Sequence, residues 1–184
     1  MRSYFLLFTI PLAGALACSA PAVGPEDFLL PPGAPAPVIT DAVVYTLVHE
    51  PGGYAATALA RYTNTTGRSV YYRRCTRDSP GTMYGLRRTG EDSTARSFVA
   101  AVWACVGGVP TGRIPPGGSL SARVSLGSTD SPNAQPPIAP EERVGRFRIE
   151  FALCTQPTQD SDDCEALPQA ARESNAFDLH FAQP

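Results

Sequence analysis

Residues 145–154 read G-R-F-R-I-E-F-A-L-C, and this decad decides the fold class. Phe147, Ile149, Phe151 and Leu153 fall on one face of an extended chain, with Arg146, Arg148 and Glu150 on the other. Strict alternation of this kind is the mark of a half-buried strand, because successive side chains of a strand point to opposite sides of its sheet. Working outward, the same period of two recurs. Residues 119–126, S-L-S-A-R-V-S-L, set Leu120, Ala122, Val124 and Leu126 against Ser121, Arg123 and Ser125. Residues 176–181, A-F-D-L-H-F, point Phe177, Leu179 and Phe181 inward and Asp178 and His180 outward.

The segments V-I-T-D-A-V-V-Y-T-L-V-H-E (38–50) and Y-A-A-T-A-L-A-R-Y-T-N (54–64) flank Pro51-Gly52-Gly53 and form a predicted hairpin. S-V-Y-Y-R-R-C (69–75), M-Y-G-L-R-R (83–88) and S-F-V-A-A-V-W-A-C (97–105) complete a set of about eight short strands. Turn signals at Asn64–Gly67, Ser79–Gly81, Thr89-Gly90 and Pro115–Gly118 separate them. Short, regularly spaced strands joined by such turns indicate an all-β chain built as an antiparallel β-sandwich. C-E-A-L-P-Q-A-A-R-E-S (164–174) has helical composition, but Pro168 limits it to a turn or two. Residues 128–140 carry Pro132, Pro136, Pro137 and Pro140 and are expected as a long exposed loop.

The N-terminus has another logic. Arg2 precedes the apolar run Tyr4–Leu16, which is interrupted by Pro11 and Gly14 and ends in small residues. That is the make-up of a secretory signal, and the run is shorter than the roughly 20 apolar residues a spanning helix needs. Ala15-Leu16-Ala17 fits an A-x-A cleavage site for ordinary secretion. Ala15-Leu16-Ala17-Cys18 also resembles a bacterial lipobox, which implies cleavage before Cys18 and acylation of that cysteine. Ala15 stands where the lipobox usually has Leu. The reading is a signal over 1–17, a lipidated Cys18 with a Pro-rich tether over 18–37, and one domain over 38–184. Pro21, Pro25, Pro31, Pro32, Pro35 and Pro37 favour polyproline geometry at about 3.1 Å per residue, which suits a spacer. Phe28-Leu29-Leu30 is the one apolar run in the tether and the one suited to docking on the domain.

Setting Cys18 aside leaves Cys75, Cys105, Cys154 and Cys164, an even set suited to an oxidising compartment. Of the three possible pairings, Cys75–Cys105 and Cys154–Cys164 enclose local segments. In the chain-entropy model they contribute about 3 to 4 and about 3 kcal/mol respectively. No C-x-x-C occurs and neither histidine neighbours a cysteine, so a structural role is expected over a redox or metal role.

The chain carries 15 basic and 17 acidic residues, for a formal charge of −2. That balance excludes the basic footprint on which nucleic-acid binding rests. All the basic residues are arginine, as a GC-rich genome would produce without selection on function. Arg73-Arg74 and Arg87-Arg88 are expected as solvated edges, since neighbours on a strand face opposite ways. Asp160, Asp162, Asp163 and Glu165 make a calcium site conceivable, but the EF-hand spacing and its glycine are missing. No G-x-S-x-G, H-E-x-x-H or P-loop occurs. His49, at the end of a strand, and His180, facing out, are the only imidazoles for a site assembled by folding. Trp103, Tyr45, Tyr54, Tyr62, Tyr71 and Tyr72 are expected as core aromatics ahead of a carbohydrate or peptide platform.

In order, Y-T-N-T-T-G-R-S-V-Y-Y (62–72), I-P-P-G-G-S-L-S-A-R-V-S-L (114–126), residues 145–154 and L-P-Q-A-A-R-E-S-N-A-F-D-L-H-F (167–181) resemble bacterial secreted immunoglobulin-like domains. The layout is similar to the BsuPI-type proteinase-inhibitor sandwich and to lipoproteins built alike, over about Val38 to Ala182. The resemblance implies an immunoglobulin-like sandwich more than an activity. The long proline loop and the two disulfides are not part of that pattern, and no inhibitory loop residue carries over. The expected function is therefore a non-enzymatic binding or structural module without cofactor, exported and held by lipid in the membrane of a bacterial envelope. Its expected partner is an envelope or extracellular protein. The alternative is a proteinase inhibitor acting through an exposed loop.

Overall fold

A computed structural model describes residues 36–51, 53–75, 81–89, 97–98, 111–129, 142–158 and 164–183. Thirteen strands run through them, with a 3-10 turn at Gln169–Ala171 directly after Pro168. The chain is all-β and, with one exception, its strands pair antiparallel.

The predicted hairpin is present, but each of its arms is broken. The first arm divides into β1 (Val38–Thr40) and β2 (Val44–Glu50), and the second into β3 (Gly53–Ala55) and β4 (Thr57–Thr63). β2 pairs with β3 around the tip, whereas β1 pairs with β4 in a different sheet. Both arms thus change sheets at the same level. The buried positions show the change of phase: Val38 and Thr40 in β1, then Tyr45 and Leu47 in β2. Glu50, not His49, is the last residue of the strand.

β5 (Val70–Arg73) and β6 (Tyr84–Arg88) are followed by β7 (Ser97–Phe98) and β8 (Thr111–Ile114). Then come β9 (Ser119–Ser125), β10 (Ser128–Thr129), β11 (Gly145–Phe151), β12 (Leu153–Cys154) and β13 (Phe177–Phe181). One sheet has the order β1-β4-β9, a second β10-β3-β2-β13-β11-β6-β7, and a third β12-β5-β8. β10 corrects the expectation that the 128–140 loop begins at Ser128: its two residues pair with Tyr54 and Gly53. β8 falls on residues that carried no strand signal. β2 and β13 are parallel, the exception to the antiparallel rule.

The second and third sheets meet at Ala152. Its carbonyl accepts from Arg73 N–H (2.9 Å) and its N–H donates to Met83 C=O (2.9 Å), while Met83 N–H donates to Arg73 C=O (2.8 Å). The chain therefore leaves the ladder after Arg73 and re-enters it at Met83, and three main-chain bonds close the neck between. Past the neck, Tyr84 Oη accepts from Ser125 N–H on the outer edge of β9 (2.8 Å).

One hydrophobic cluster joins all three sheets. Val38, Ala58, Ala60, Tyr62 and Val124 contribute from the first, Leu47, Phe147, Ile149, Phe151, Phe177 and Leu179 from the second, and Val70, Ile114 and Leu153 from the third. Full burial of each large side chain here contributes about 1.5–3 kcal/mol. Two of the turns predicted from sequence meet at one fully buried side chain. Asn64 Nδ2 donates to Arg68, Ile114 and Pro115 carbonyls, and its Oδ1 accepts from Thr66 N–H and Thr66 Oγ1. Gly117, at φ +73°, brings its N–H onto Asn64 C=O (2.8 Å), a conformation glycine adopts at little cost.

Candidate functional site

β2 is the strand whose surroundings set it apart. Tyr45 and Leu47 point into the core, so the period of two turns Val44, Thr46 and Val48 outward. Val44 is 53% exposed, Val48 50% and the preceding Val43 41%, and they are the large hydrophobic residues most exposed among the described residues.

The main chain of β2 is polarised in the same way. Val43 C=O and Leu47 C=O accept from Asp178 N–H and Ala182 N–H of the β13 side (both 2.9 Å). Alternation along the strand then points the N–H and C=O groups of Val44 and Thr46 away from β13. On that far side β3 pairs only with Val48–Glu50. Among the described residues, no strand pairs with Val44–Leu47 there. Among the described residues this edge is open, flanked by uncharged β-branched side chains and without the usual protections of lysine, proline or a bulge.

A polar corner holds the strand at this angle. Asp41 Oδ1 accepts from Tyr45 Oη (2.5 Å) and from Leu59 N–H (2.9 Å), and Ala42 N–H donates to Tyr45 Oη (3.1 Å). Burial first, and the Asp41 carboxylate second, push the Tyr45 phenol well above its ordinary value, so it stays a donor. The Tyr45 ring packs edge-on against Phe177 at 5.3 Å. On the other side of the kink, Thr40 and Asn175 exchange two hydrogen bonds (2.9 and 2.7 Å), which ties β1 to the approach of β13.

At the hairpin tip, His49 and Tyr54 are directly opposed and their rings meet at 5.1 Å. Phe181 lies 4.7 Å from Tyr54, and the Arg143 guanidinium sits 5.3 Å from the same ring. His180 pairs with Thr46 in the parallel ladder and shares its outward face, whereas His49 has the opposite parity. The two histidines lie on opposite faces of one sheet, so the fold does not bring them into a common site.

The outer face of β6 and β11 corrects one expectation. Arg87 is not a solvated edge: its Nε and Nη2 donate to the two Glu173 oxygens at 2.7 Å each, and Glu173 is buried. The reason is a covering layer. Residues 172–174 run along β11, with Phe151 N–H on Arg172 C=O and Ser174 N–H on Ile149 C=O. Burial raises the Glu173 carboxyl, but the bonds and charge of Arg87, the Gln169 amide and the Arg148 charge outweigh it and hold it below its ordinary value. Arg148 stands directly opposite Arg87, a like-charged pair that Glu173 makes tolerable. Glu150 and Arg172 form a second ion pair beside it.

The remaining sequence candidates divide cleanly. Cys154 and Cys164 are bonded, with Cα atoms 5.6 Å apart. Cys75 is also disulfide-bonded. Cys18, Cys105, Trp103, Asp160, Asp162 and Asp163 lie outside the described residues. Glu165 is exposed and accepts from Thr155 Oγ1 (2.8 Å). Among the described residues, no three His, Cys, Asp or Glu side chains are placed to hold a metal ion, and no helix is long and apolar enough to cross a membrane. Tyr45 and Tyr62 are core residues, while Tyr54, Tyr71 and Tyr72 are half-buried. The open edge of β2 itself was not legible in sequence, because valines on a strand read as core.

No protein-family model matches the chain, and no curated protein matches it. Among solved structures, the Pseudomonas fluorescens alkylpurine DNA glycosylase AlkC bound to DNA containing an abasic site analog is similar over 80% of this chain, at 12% identity and a TM-score of 0.34. The match spans 32% of that protein's length.

Proposed function

We propose that the chain is a non-enzymatic, envelope-anchored binding module: an immunoglobulin-like sandwich on a lipidated, Pro-rich tether that engages an envelope or extracellular protein through the open edge of β2. The carrying observation is the stripe Val44–Thr46–Val48, apolar or uncharged and outward, beside main-chain groups that no strand takes up among the described residues. Such an edge recognises an extended segment: main-chain hydrogen bonds give the affinity and alternate side chains give the specificity.

Three features support the sandwich. Strands that continue one another (β1 with β2, β3 with β4, β5 with β6, β11 with β12) reduce the thirteen to about nine arms. β1-β4-β9 would form one layer and the other two sheets, joined at Ala152, the second. Their inward faces share one core. Export and anchoring rest on the 1–17 leader, Cys18 and the disulfides. Cys75, which ends the β5 arm, and Cys105 are then the second pair.

A photocrosslinking residue placed at Val44 in cells tests the reading, with Arg123, exposed on β9, as control. A discrete adduct from Val44 that is absent from Arg123, and lost in Thr46→Pro, is expected. Equal labelling from both positions would count against an edge-specific partner.

A further inference from the structure

The formal charge of −2 hides a segregation along the chain. Residues 57–70 and 113–126, which hold β4, β9 and the turns at their common end, carry Arg61, Arg68, Arg113 and Arg123 and no Asp or Glu. Asp41, which follows β1 in the same layer, is engaged by Tyr45 and Leu59. Glu150, Glu173 and Asp178 belong to the second sheet or its cover, where they face Arg172, Arg87 and Arg146. Glu165 accepts from Thr155 beside β12.

The four arginines share one face and one end of the first sheet. Ala58, Ala60 and Tyr62 of β4 and Leu120, Ala122 and Val124 of β9 are buried, so the period of two turns Arg61 and Arg123 to the outer face. Leu59 pairs with Arg123 and Arg61 with Ser121, which makes the two arginines diagonal neighbours. Around them stand short exposed side chains, Ser119, Ser121 and Ser125, that leave the guanidinium groups the most prominent features of the face. At the end of the sheet, Arg68 is exposed in the turn that Asn64 braces, and the exposed Arg113 donates from Nε to Ser69 Oγ (2.9 Å). Because Asn64 ties this turn to the one before β9, Arg68 and Arg113 stand on one rigid corner.

The described chain enters the fold at that same corner. Pro37 C=O accepts from Thr63 N–H (3.3 Å), and Val38 pairs with Tyr62. Cys18 stands 19 residues before Pro37, a reach of at most about 65 Å. A domain anchored there is confined close above the lipid, where its effective concentration is high and a weak surface attraction suffices.

We infer that the outer face of the β1-β4-β9 sheet and its arginine corner lie against the anionic headgroups of the membrane that holds the anchor. The second layer, with the Val44–Val48 edge, is then turned away from the lipid towards a partner. The inference rests on the proposed anchoring, but its test does not. Each arginine near an anionic surface strengthens binding about fivefold, and the attraction fades as salt shortens its range.

The experiment measures partition of the mature chain bearing Cys18→Ser onto vesicles of phosphatidylcholine alone and of equal parts phosphatidylcholine and phosphatidylglycerol. With no acyl chain present, it reads the protein surface by itself. Partition about 100-fold stronger onto the anionic vesicles, lost at high salt, is expected. Arg68→Gln/Arg113→Gln/Arg123→Gln should abolish the preference, whereas Arg68→Lys/Arg113→Lys/Arg123→Lys should keep it. All three residues are exposed, and an unchanged urea midpoint controls for folding. Equal partition onto both vesicles would overturn the inference, as would full binding by the glutamine variant. Loss of binding in the lysine variant would also overturn it, because a discrete arginine-specific contact would then replace attraction to a charged surface. A native protein whose mass shows no acyl chain would sink the anchoring reading alone and leave the vesicle result standing.

Discussion

Single polar residues hold this fold at its seams. Asn64 is fully buried; its amide nitrogen joins the turn after β4 to the turn before β9 through the Ile114 and Pro115 carbonyls, while its oxygen braces its own turn at Thr66. Glu173 is buried too, and its environment gives it a measurable signature. Its folded carboxyl sits below the ordinary value of 4.5, so the stability it contributes is fully present above that value and is lost as pH falls through the lower folded one. Glu173→Gln should therefore be less stable than the parent at neutral pH by about 1–2 kcal/mol, from the loss of charge-assisted bonds to a partly exposed Arg87. The difference should close as the pH falls below 4.5 and passes through the lower folded value. Urea titrations at several pH values check this; a constant difference across the series would remove the ion pair from the explanation. The parity of Arg87 was legible, since alternation places it on the outer face. What sequence did not carry was the layer from Gln169 to Ser174 that folds over that face.

At the scale of elements, a close approach replaces a side chain. Gly112 on β8 is paired with Tyr72 on β5, and a Cβ there would fall 2.2 Å from Tyr72 Cζ. Gly112→Ala must drive the Tyr72 ring out of its place, with a cost of about 1–3 kcal/mol. A lower urea midpoint with an unchanged m-value is the expected result, and an unshifted midpoint would mean that the ring moves freely. The decad 145–154 announced β11 because each inward position is a large apolar residue and each outward one a charge, up to Glu150. The hairpin arms were legible as strands, but their break was hidden for a physical reason. Inward Thr40 is polar and outward Val44 and Val48 are apolar, so the slip of phase between Thr40 and Tyr45 leaves no trace in hydropathy. The same masking hid the open edge. β8 was missed because Thr111, Gly112 and Arg113 carry no apolar alternation.

For the whole molecule, covalent state is the most direct observable. On the proposed anchoring, the protein isolated from its native cells should begin at Cys18, carry acyl chains and gain four hydrogens on reduction; an unacylated mass would remove the anchor, and a gain of two would leave one disulfide. Replacing Cys154 and Cys164 together by serine should lower stability by roughly 3 kcal/mol in the chain-entropy model. The neck between β5 and β6 has a consequence of a different kind. Arg73, Met83 and Ala152 seal the ladder with three main-chain bonds, to which the buried Thr82 hydroxyl adds its own bond to Arg73 C=O, so the pairing of β6 with β11 is closed off from the residues between Cys75 and Gly81. The sheet therefore offers a port at which insertions can be tried and discarded over generations without disturbing a single register elsewhere. It is also the place where a designer should splice a foreign epitope.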